Sequence, residues 1–203
     1  MVAIHQMMRL LTAFALLVTS NVATAYITAK NARPKRHSVE TVLNEVRGTS
    51  STVVILGDSL VEDAKFPREV CGVPIINGGI GGSRAASVIA IAEQMQGTPA
   101  LIIISVGVND AGSVHFPAAY SLLLNSLPKT KIAVASLAQT GFTDIDKEIR
   151  NAAKRHGVSL IDMSGILAFE TVDGIHPAAH SYPDWRKRLL DGARAALGCE
   201  AAS

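Results

Sequence analysis

The sequence has few aromatic residues and little excess charge, and each shortage excludes a class of protein. Aromatic residues make up 4% of the 203 residues, too few for a surface that stacks bases or sugars. The chain has 19 Lys and Arg residues and 17 Asp and Glu residues, and this near balance disfavours a polyanion-binding protein that relies on bulk charge. Hydrophobic residues make up 48%, too many for a disordered chain, and the length predicts one domain or a domain with a tail.

Cysteine is also scarce, and the two cysteines are not placed for metal binding. Cys71 and Cys199 have neither a CxxC partner nor a histidine at ligand spacing, so the sequence predicts no zinc site. Two thiols can form a disulfide in an exported protein, whereas cytoplasmic thiols stay reduced. The expected state of this pair therefore depends on the compartment.

The first 25 residues have the pattern of a secretory signal peptide. Arg9 precedes an apolar run at 10–18, and Ala23-Thr24-Ala25 fits a small-x-small cleavage site. We therefore expect an exported protein, periplasmic or secreted. The alternative is an uncleaved membrane anchor at residues 10–29, which is about long enough to span a bilayer.

The leader is followed by a change in composition that predicts the domain boundaries. Residues 26–37 are polar, basic and aperiodic, which is typical of a linker, and the predicted folded domain covers 38–203. The only membrane contact we expect is through the N-terminal segment, if it stays uncleaved.

From residue 52 onward, short apolar runs alternate with amphipathic segments. The runs are rich in β-branched residues and apolar on both faces, as expected of parallel strands between two helical layers; they lie at 52–56, 73–77, 101–105, 131–136 and 158–162. Helices are predicted at 38–46, 83–96, 116–127, 143–156 and 183–197. This alternation predicts an α/β protein, a three-layer α/β/α sandwich with a five-stranded parallel sheet.

Glycine and polar residues follow the predicted strands, at the edge where open parallel sheets bind ligands. Gly57-Asp58-Ser59-Leu60 follows the first strand, and a glycine-rich block at 77–83 follows the second. Gly107-Val108-Asn109-Asp110 follows the third strand, and Asp173-Gly174-Ile175-His176 lies in a late loop. The sequence therefore predicts a polar site at this edge.

Three side chains in these blocks have the chemistry of a nucleophilic triad. A serine hydroxyl becomes a nucleophile when a base accepts its proton, and histidine is suited to that task. Ser59 is therefore the candidate nucleophile, His176 the candidate base, and Asp173 the carboxylate that orients the imidazole. Asp58 is expected to hold the turn rather than to react.

A tetrahedral oxyanion needs several converging N–H donors. The amide groups of Ser59 and Gly82 and the carboxamide of Asn109 are the candidates. Gly81 is the alternative to Gly82, because a run of glycines permits a shift of one residue. Arg84 is expected to be a surface residue at a helix start.

The four blocks, in this order, resemble those of the SGNH hydrolases, the GDSL esterase and lipase family. Residues 57–60 match the block with the nucleophile, and 77–83 match the glycine block, with Gly82 at the oxyanion-donor position. Residues 107–110 match the block with the Asn donor, and 173–176 match the block with the remaining triad members. Each block alone is weak evidence for the resemblance, but four blocks in this order are specific to the family.

The resemblance implies a flavodoxin-like strand order, 2-1-3-4-5, and no metal or organic cofactor. It implies a serine hydrolase that cleaves carboxylic esters through an acyl-enzyme, with a small-molecule or glycan-borne ester as partner and no nucleic acid. Short-chain acyl or acetyl esters of the cell envelope are the expected substrates. Two alternatives stay open: a thioesterase or lysophospholipase of the same fold, and a non-catalytic binding module. The substrate-binding residues and the oligomeric state are not predicted.

The chain departs from the family pattern just after the nucleophile. Many members continue the first block as GDSLxxG, whereas here Leu60 is followed by Val-Glu-Asp, with Glu62 in that region. The blocks are also closely spaced, which leaves little chain for a lid and predicts an open, shallow site.

The implied strand order also bears on the cysteines. We expect Cys71 near the end of the first crossover helix and Cys199 after the last helix, and in this order both helices cover the same face of the sheet. We therefore hypothesise a disulfide between them.

Overall fold

A twisted sheet of six strands forms the centre of the computed structural model, which describes residues 37–199. The strands are β1 (Val53–Gly57), β2 (Glu69–Val70), β3 (Val73–Gly79), β4 (Leu101–Ser105), β5 (Ile132–Ala135) and β6 (Ser159–Ile161), in the order β2-β3-β1-β4-β5-β6. All neighbouring pairs except β2 with β3 are parallel. Numbered along the chain, the five parallel strands have the predicted order 2-1-3-4-5.

The sheet has one strand more than the five predicted. β2 is antiparallel to β3 and has two residues, too short for any hydrophobic periodicity to indicate it. The two strands are joined by Cys71 and Gly72, whose φ angles are +55° and +72°. Positive φ at both central residues is the geometry of a tight hairpin turn whose twist matches that of its strands.

Among residues 37–199, six α-helices cover the two faces of the sheet. They are α1 (Val39–Val46), α2 (Ser59–Glu62), α3 (Ala85–Ala92), α4 (Phe116–Ser126), α5 (Thr143–His156) and α6 (Tyr182–Leu197). The apolar side chains of α1, α3, α4 and α5 join one core, and those of α2 and α6 join the other. This is the predicted three-layer arrangement.

The strands are buried on both faces, as their composition predicts. Val54 and Leu56 of β1 belong to the first core, whereas Val53 and Ile55 belong to the second, because successive side chains of a strand point to opposite faces. Each of the four is 0% exposed. Trp185 of α6 is buried in the second core and packs the last helix on the sheet.

The predicted helix at 83–96 is shorter in the structure. Arg84 has an extended backbone (φ −104°, ψ 166°) and is the N-cap of α3, so the helix begins at Ala85. Its side chain is exposed, as expected.

Cys71 and Cys199 form a disulfide with their Cα atoms 6.4 Å apart, which confirms the hypothesis of their pairing. The expected position of Cys71 was wrong, because it lies in the β2–β3 turn and not near the end of a crossover helix. Cys199 follows the end of α6. The bond therefore joins the edge hairpin to the last helix, across 128 positions of the chain.

The predicted leader at 1–25, the anchor alternative at 10–29 and all but the last residue of the linker at 26–37 lie outside the described residues. Within 37–199, no helix is long and apolar enough to cross a bilayer.

Candidate active site

Ser59, His176 and Asp173 are joined by a continuous chain of hydrogen bonds. The distance from Ser59 Oγ to His176 Nε2 is 2.8 Å, and the distance from His176 Nδ1 to Asp173 Oδ2 is 2.7 Å. A neutral imidazole donates through one ring nitrogen and accepts through the other. When Nδ1–H donates to the carboxylate, Nε2 is left to accept the proton of the serine hydroxyl.

Ser59 is held at the start of α2, directly after β1. Asp58 is the N-cap of this helix, and its Oδ1 accepts a hydrogen bond from the Leu60 amide at 3.0 Å. Burial raises the pKa of Asp58 from 3.8 to about 7, because the carboxyl is removed from water. The cap role agrees with the expectation that Asp58 holds the turn.

The close approach of α2 to the sheet requires glycine at the end of β3. A Cβ at Gly79 would overlap the backbone of Val61 and Glu62, so only a residue without a side chain fits here.

Glu62 is the residue at which the chain departs from the family pattern. It accepts a hydrogen bond from the His37 amide at 2.6 Å, and His37 Nδ1 lies 3.0 Å from the Gly79 carbonyl oxygen.

Asp173 and His176 are presented by a short hairpin-like loop. Asp173 Oδ1 accepts from the amides of Ile175 at 3.0 Å and His176 at 2.8 Å. Gly174 has a φ of +84°, and the Val172 amide donates to the His176 carbonyl at 2.9 Å. The amide and ring N–H groups of His176 lower the pKa of Asp173 to about 2, so this carboxylate stays ionised at neutral pH.

The candidate oxyanion donors come from two neighbouring loops. The Ile80 amide donates to the Gly57 carbonyl at 3.0 Å, which places the glycine loop beside the end of β1. Asn109 Nδ2 donates to the Ser83 carbonyl at 3.0 Å, which attaches the asparagine to the same loop. A carboxamide nitrogen carries two hydrogens, so a second donor remains on Asn109.

Gly82 has a φ of +77°, a backbone conformation that favours glycine. The structure therefore brings Gly82 and Asn109 together around Ser83. Their roles as donors, and the alternative at Gly81, stay predictions.

Asp110 has a position that the sequence interpretation did not assign. Its side chain is 4% exposed, and Oδ2 accepts from the Ala85 amide at 3.0 Å. The carboxylate thus satisfies an amide at the start of α3, where Arg84 supplies no side-chain cap. Burial raises the pKa of Asp110. Its place next to Asn109 in the third block was the one feature of the sequence that could have indicated a role for Asp110.

Gln139 is a second residue that the sequence interpretation missed. It lies after β5 and is 6% exposed, and its Nε2 donates to the Ile175 carbonyl at 2.6 Å. A single glutamine in a loop carries no periodic or motif signal, so the sequence does not indicate this contact.

A groove of about 450 Å³ lies beside the loop of Asp173 and His176. One wall is formed by residues 138–141 after β5, and the others by Gly165, Ile166, Phe169, Thr171 and Gly174. Polar and aromatic side chains therefore meet beside the loop that carries Asp173 and His176, and the volume falls in the range of small-molecule sites.

Within residues 37–199, no three His, Cys, Asp or Glu side chains cluster in a way that could hold a metal ion. The hydrogen-bonded serine, imidazole and carboxylate have the arrangement needed for nucleophilic attack on a carbonyl group.

No protein-family model and no curated protein matches the chain in sequence. Solved structures do match it. A carbohydrate acetylesterase family member from Sinorhizobium meliloti is 16% identical, with a TM-score of 0.58 over 73% of this chain and 99% of that one. The native aryl esterase of M. smegmatis is 16% identical, with a TM-score of 0.55 over 71% of this chain and 99% of that one.

At these identities the likeness concerns the fold, and it agrees with the resemblance carried by the four sequence blocks. The chain therefore has the SGNH hydrolase fold.

Proposed function

We propose that the protein is a serine esterase that hydrolyses carboxylic esters through an acyl-enzyme. The observation that carries the proposal is the hydrogen-bonded chain from Ser59 through His176 to Asp173, built on the carboxyl edge of the sheet. The fold is one that solved acetylesterases and aryl esterases also have.

In the first half of the reaction, Ser59 Oγ attacks the ester carbonyl carbon while His176 Nε2 accepts the hydroxyl proton. The carbonyl oxygen becomes an oxyanion, which the amides of Ser59 and Gly82 and the carboxamide of Asn109 stabilise. Collapse of the tetrahedral intermediate breaks the bond to the alcohol oxygen, and this oxygen takes the proton from His176. An acyl group is left on Ser59.

In the second half, His176 takes a proton from water as the water attacks the acyl carbonyl. The second tetrahedral intermediate collapses, the proton returns to Ser59, and the carboxylic acid leaves. Asp173 stays ionised and stabilises the imidazolium formed in each half.

Short acyl groups, and acetyl groups in particular, are the proposed substrates. The leaving alcohol must lie near His176, because this residue protonates it, and the groove lies beside Gly174, in the same loop as His176. We therefore assign the groove to the alcohol part of the ester. Its threonine and phenylalanine side chains suit a sugar or an aryl alcohol.

We also propose that the domain works outside the cytoplasm, in the periplasm or the medium. The Cys71–Cys199 bond supports this location, since disulfides persist in oxidising compartments.

The esterase proposal is tested by labelling with a fluorophosphonate probe and by hydrolysis of p-nitrophenyl acetate. Wild-type protein should be labelled and active, Ser59→Ala should be neither, and Ser87→Ala, which changes an exposed serine of α3, should match wild type. Wild-type protein that neither labels nor turns over would favour the binding module instead.

An acyl chain-length series then separates the substrate classes. Preference for acetyl over longer esters, and for acetylated sugars over acyl thioesters and lysophospholipids, supports the proposal. The opposite order would favour the thioesterase or lysophospholipase alternative.

A further inference from the structure

We propose that Gln139 is a positioning residue that attaches the loop of His176 to the sheet. The inference rests on the proposed function, because it concerns the geometry of the same triad. Gln139 follows β5, and its Nε2 donates to the carbonyl of Ile175, the residue directly before His176, at 2.6 Å. The contact joins residues that are 36 positions apart in the chain.

The loop has few other hydrogen bonds to the rest of the domain. The bonds from Asp173 Oδ1 to the amides of Ile175 and His176, and from the Val172 amide to the His176 carbonyl, shape the loop from within. Among the hydrogen bonds found for residues 171–177, those that reach the sheet or its adjoining segments are Ser59–His176 and Gln139–Ile175. One of these is the reacting pair itself, so Gln139 supplies the separate hydrogen bond, in addition to the packing of the Ile175 side chain against the second core.

The burial of the Gln139 carboxamide indicates that its N–H donor has a role. The side chain is 6% exposed, and its Oε1 is buried without a hydrogen-bond partner among residues 37–199. Burying an unpaired amide oxygen is unfavourable, and a methionine of similar length would avoid that cost. Gln139 does have one thing that methionine lacks, the N–H donor that reaches Ile175.

The segment that carries Gln139 is itself firmly held. The Leu137 amide donates to Asp146 Oδ1 at 2.7 Å, and Arg150 Nε lies 2.7 Å from Asp146 Oδ2. The same guanidinium lies 2.7 Å from Asp162 Oδ1 and donates to Ser136 Oγ at 3.1 Å. These contacts tie the end of β5 to α5 and to the end of β6, so the carboxamide of Gln139 extends from a rigid base.

The expected consequence is a reaction that slows without a matching loss of binding. Loss of the donor leaves Ser59, His176 and Asp173 chemically intact but permits the His176 loop to move, so fewer molecules hold Nε2 within reach of the hydroxyl. Because small displacements of a reacting group are costly, kcat per active site should fall about 10- to 100-fold. The KM for a small ester should change by less than about threefold, since its binding does not depend on the donor.

The test compares Gln139→Met and Gln139→Leu with wild type. Methionine keeps the length and removes both polar atoms, and leucine removes them in a shorter side chain. Gln94→Met is the matched control, because Gln94 Nε2 also donates to a backbone carbonyl, that of Ala90 at 3.0 Å, but lies exposed near the end of α3. Active sites are counted with the fluorophosphonate, and kcat and KM are then measured with p-nitrophenyl acetate.

A fall in kcat per titrated site for both Gln139 variants, with the control unchanged, supports the inference. Fewer titrated sites with wild-type kcat per site would mean that Gln139 only stabilises the fold, and wild-type kinetics would mean that the contact is dispensable; both overturn the inference. Absence of labelling in the wild type would instead overturn the proposed function.

A measurement on wild-type protein decides the case if the variants do not fold. Exchange of the Gln139 side-chain amide hydrogens with solvent, followed by NMR, should be much slower than for Gln94. Equal exchange rates would overturn the inference.

Discussion

Replacement of Asp58 by asparagine should make the free energy of unfolding of the domain less sensitive to a rise in pH. Asp58 is 2% exposed and precedes Ser59, and its Oδ1 caps α2 through the Leu60 amide. Asparagine is as good an N-cap as aspartate and keeps an acceptor oxygen at this position. The substitution therefore removes the ionisation of the side chain and leaves the cap in place.

The sign and size follow from the pKa of Asp58, which burial raises from 3.8 to about 7. A group whose pKa is raised in the folded state contributes its full stability below the unfolded pKa and loses it as the pH rises through the folded value. The rise is about three units, and at about 1.4 kcal/mol per unit the loss approaches about 4 kcal/mol between about pH 4 and about pH 7. The asparagine side chain does not ionise, so the Asp58→Asn variant should gain stability relative to wild type over this range.

Urea unfolding at constant ionic strength, from about pH 4.5 to about pH 8, measures the difference in the free energy of unfolding. Asp63→Asn removes one negative charge from an exposed position at the end of the same helix and serves as the control. Comparison of variants cancels the titration of the groups that do not interact with Asp58. A wild-type to Asp58→Asn difference that stays constant to within about 1 kcal/mol across this range would refute the reasoning.

Three further outcomes are expected. Asp173→Asn should lower kcat for p-nitrophenyl acetate by about 10²- to 10⁴-fold, because Nδ1 of His176 loses its carboxylate partner; a change below about threefold would contradict the triad. Asn109→Ala should lower kcat by about 10²- to 10³-fold with KM nearly unchanged, whereas an effect on KM alone would mean that Asn109 binds substrate and does not stabilise the oxyanion. Joint replacement of Cys71 and Cys199 by serine should lower the free energy of unfolding by about 2–5 kcal/mol in urea, because the bond closes a loop of 128 positions, and an unchanged midpoint would contradict this.

Much of the fold was predictable because the sequence records burial locally. The run at 101–105 is apolar at each position except its last, and β4 has these bounds with Leu101 through Ile104 fully buried. The order of the five parallel strands came from the resemblance, and the structure agrees with it. The two-residue β2 was missed, because its pairing depends on the Cys71-Gly72 turn and not on a hydrophobic pattern.

The main side chains of the site were also predictable. Parallel strands end at one edge of their sheet, so polar residues that follow them converge there. Ser59 follows β1 at this edge, and the segment between β6 and α6 brings His176, 117 positions along the chain, to within 2.8 Å of it. The sequence did not indicate the groove beside Gly174, since its walls come from two separate segments, one after β5 and one between β6 and α6.

The contacts of Asp110 and Gln139 could not be predicted from the sequence. Each is a buried polar residue in a loop, and each has its partner far along the chain, Ala85 for Asp110 and Ile175 for Gln139. By itself the sequence determined the buried strands and the edge of the sheet that carries the candidate site, because these depend on local composition and on the direction of the strands. Only the tertiary structure decided which polar groups hold that edge in place, because a hydrogen bond depends on distances between segments that the fold alone brings together.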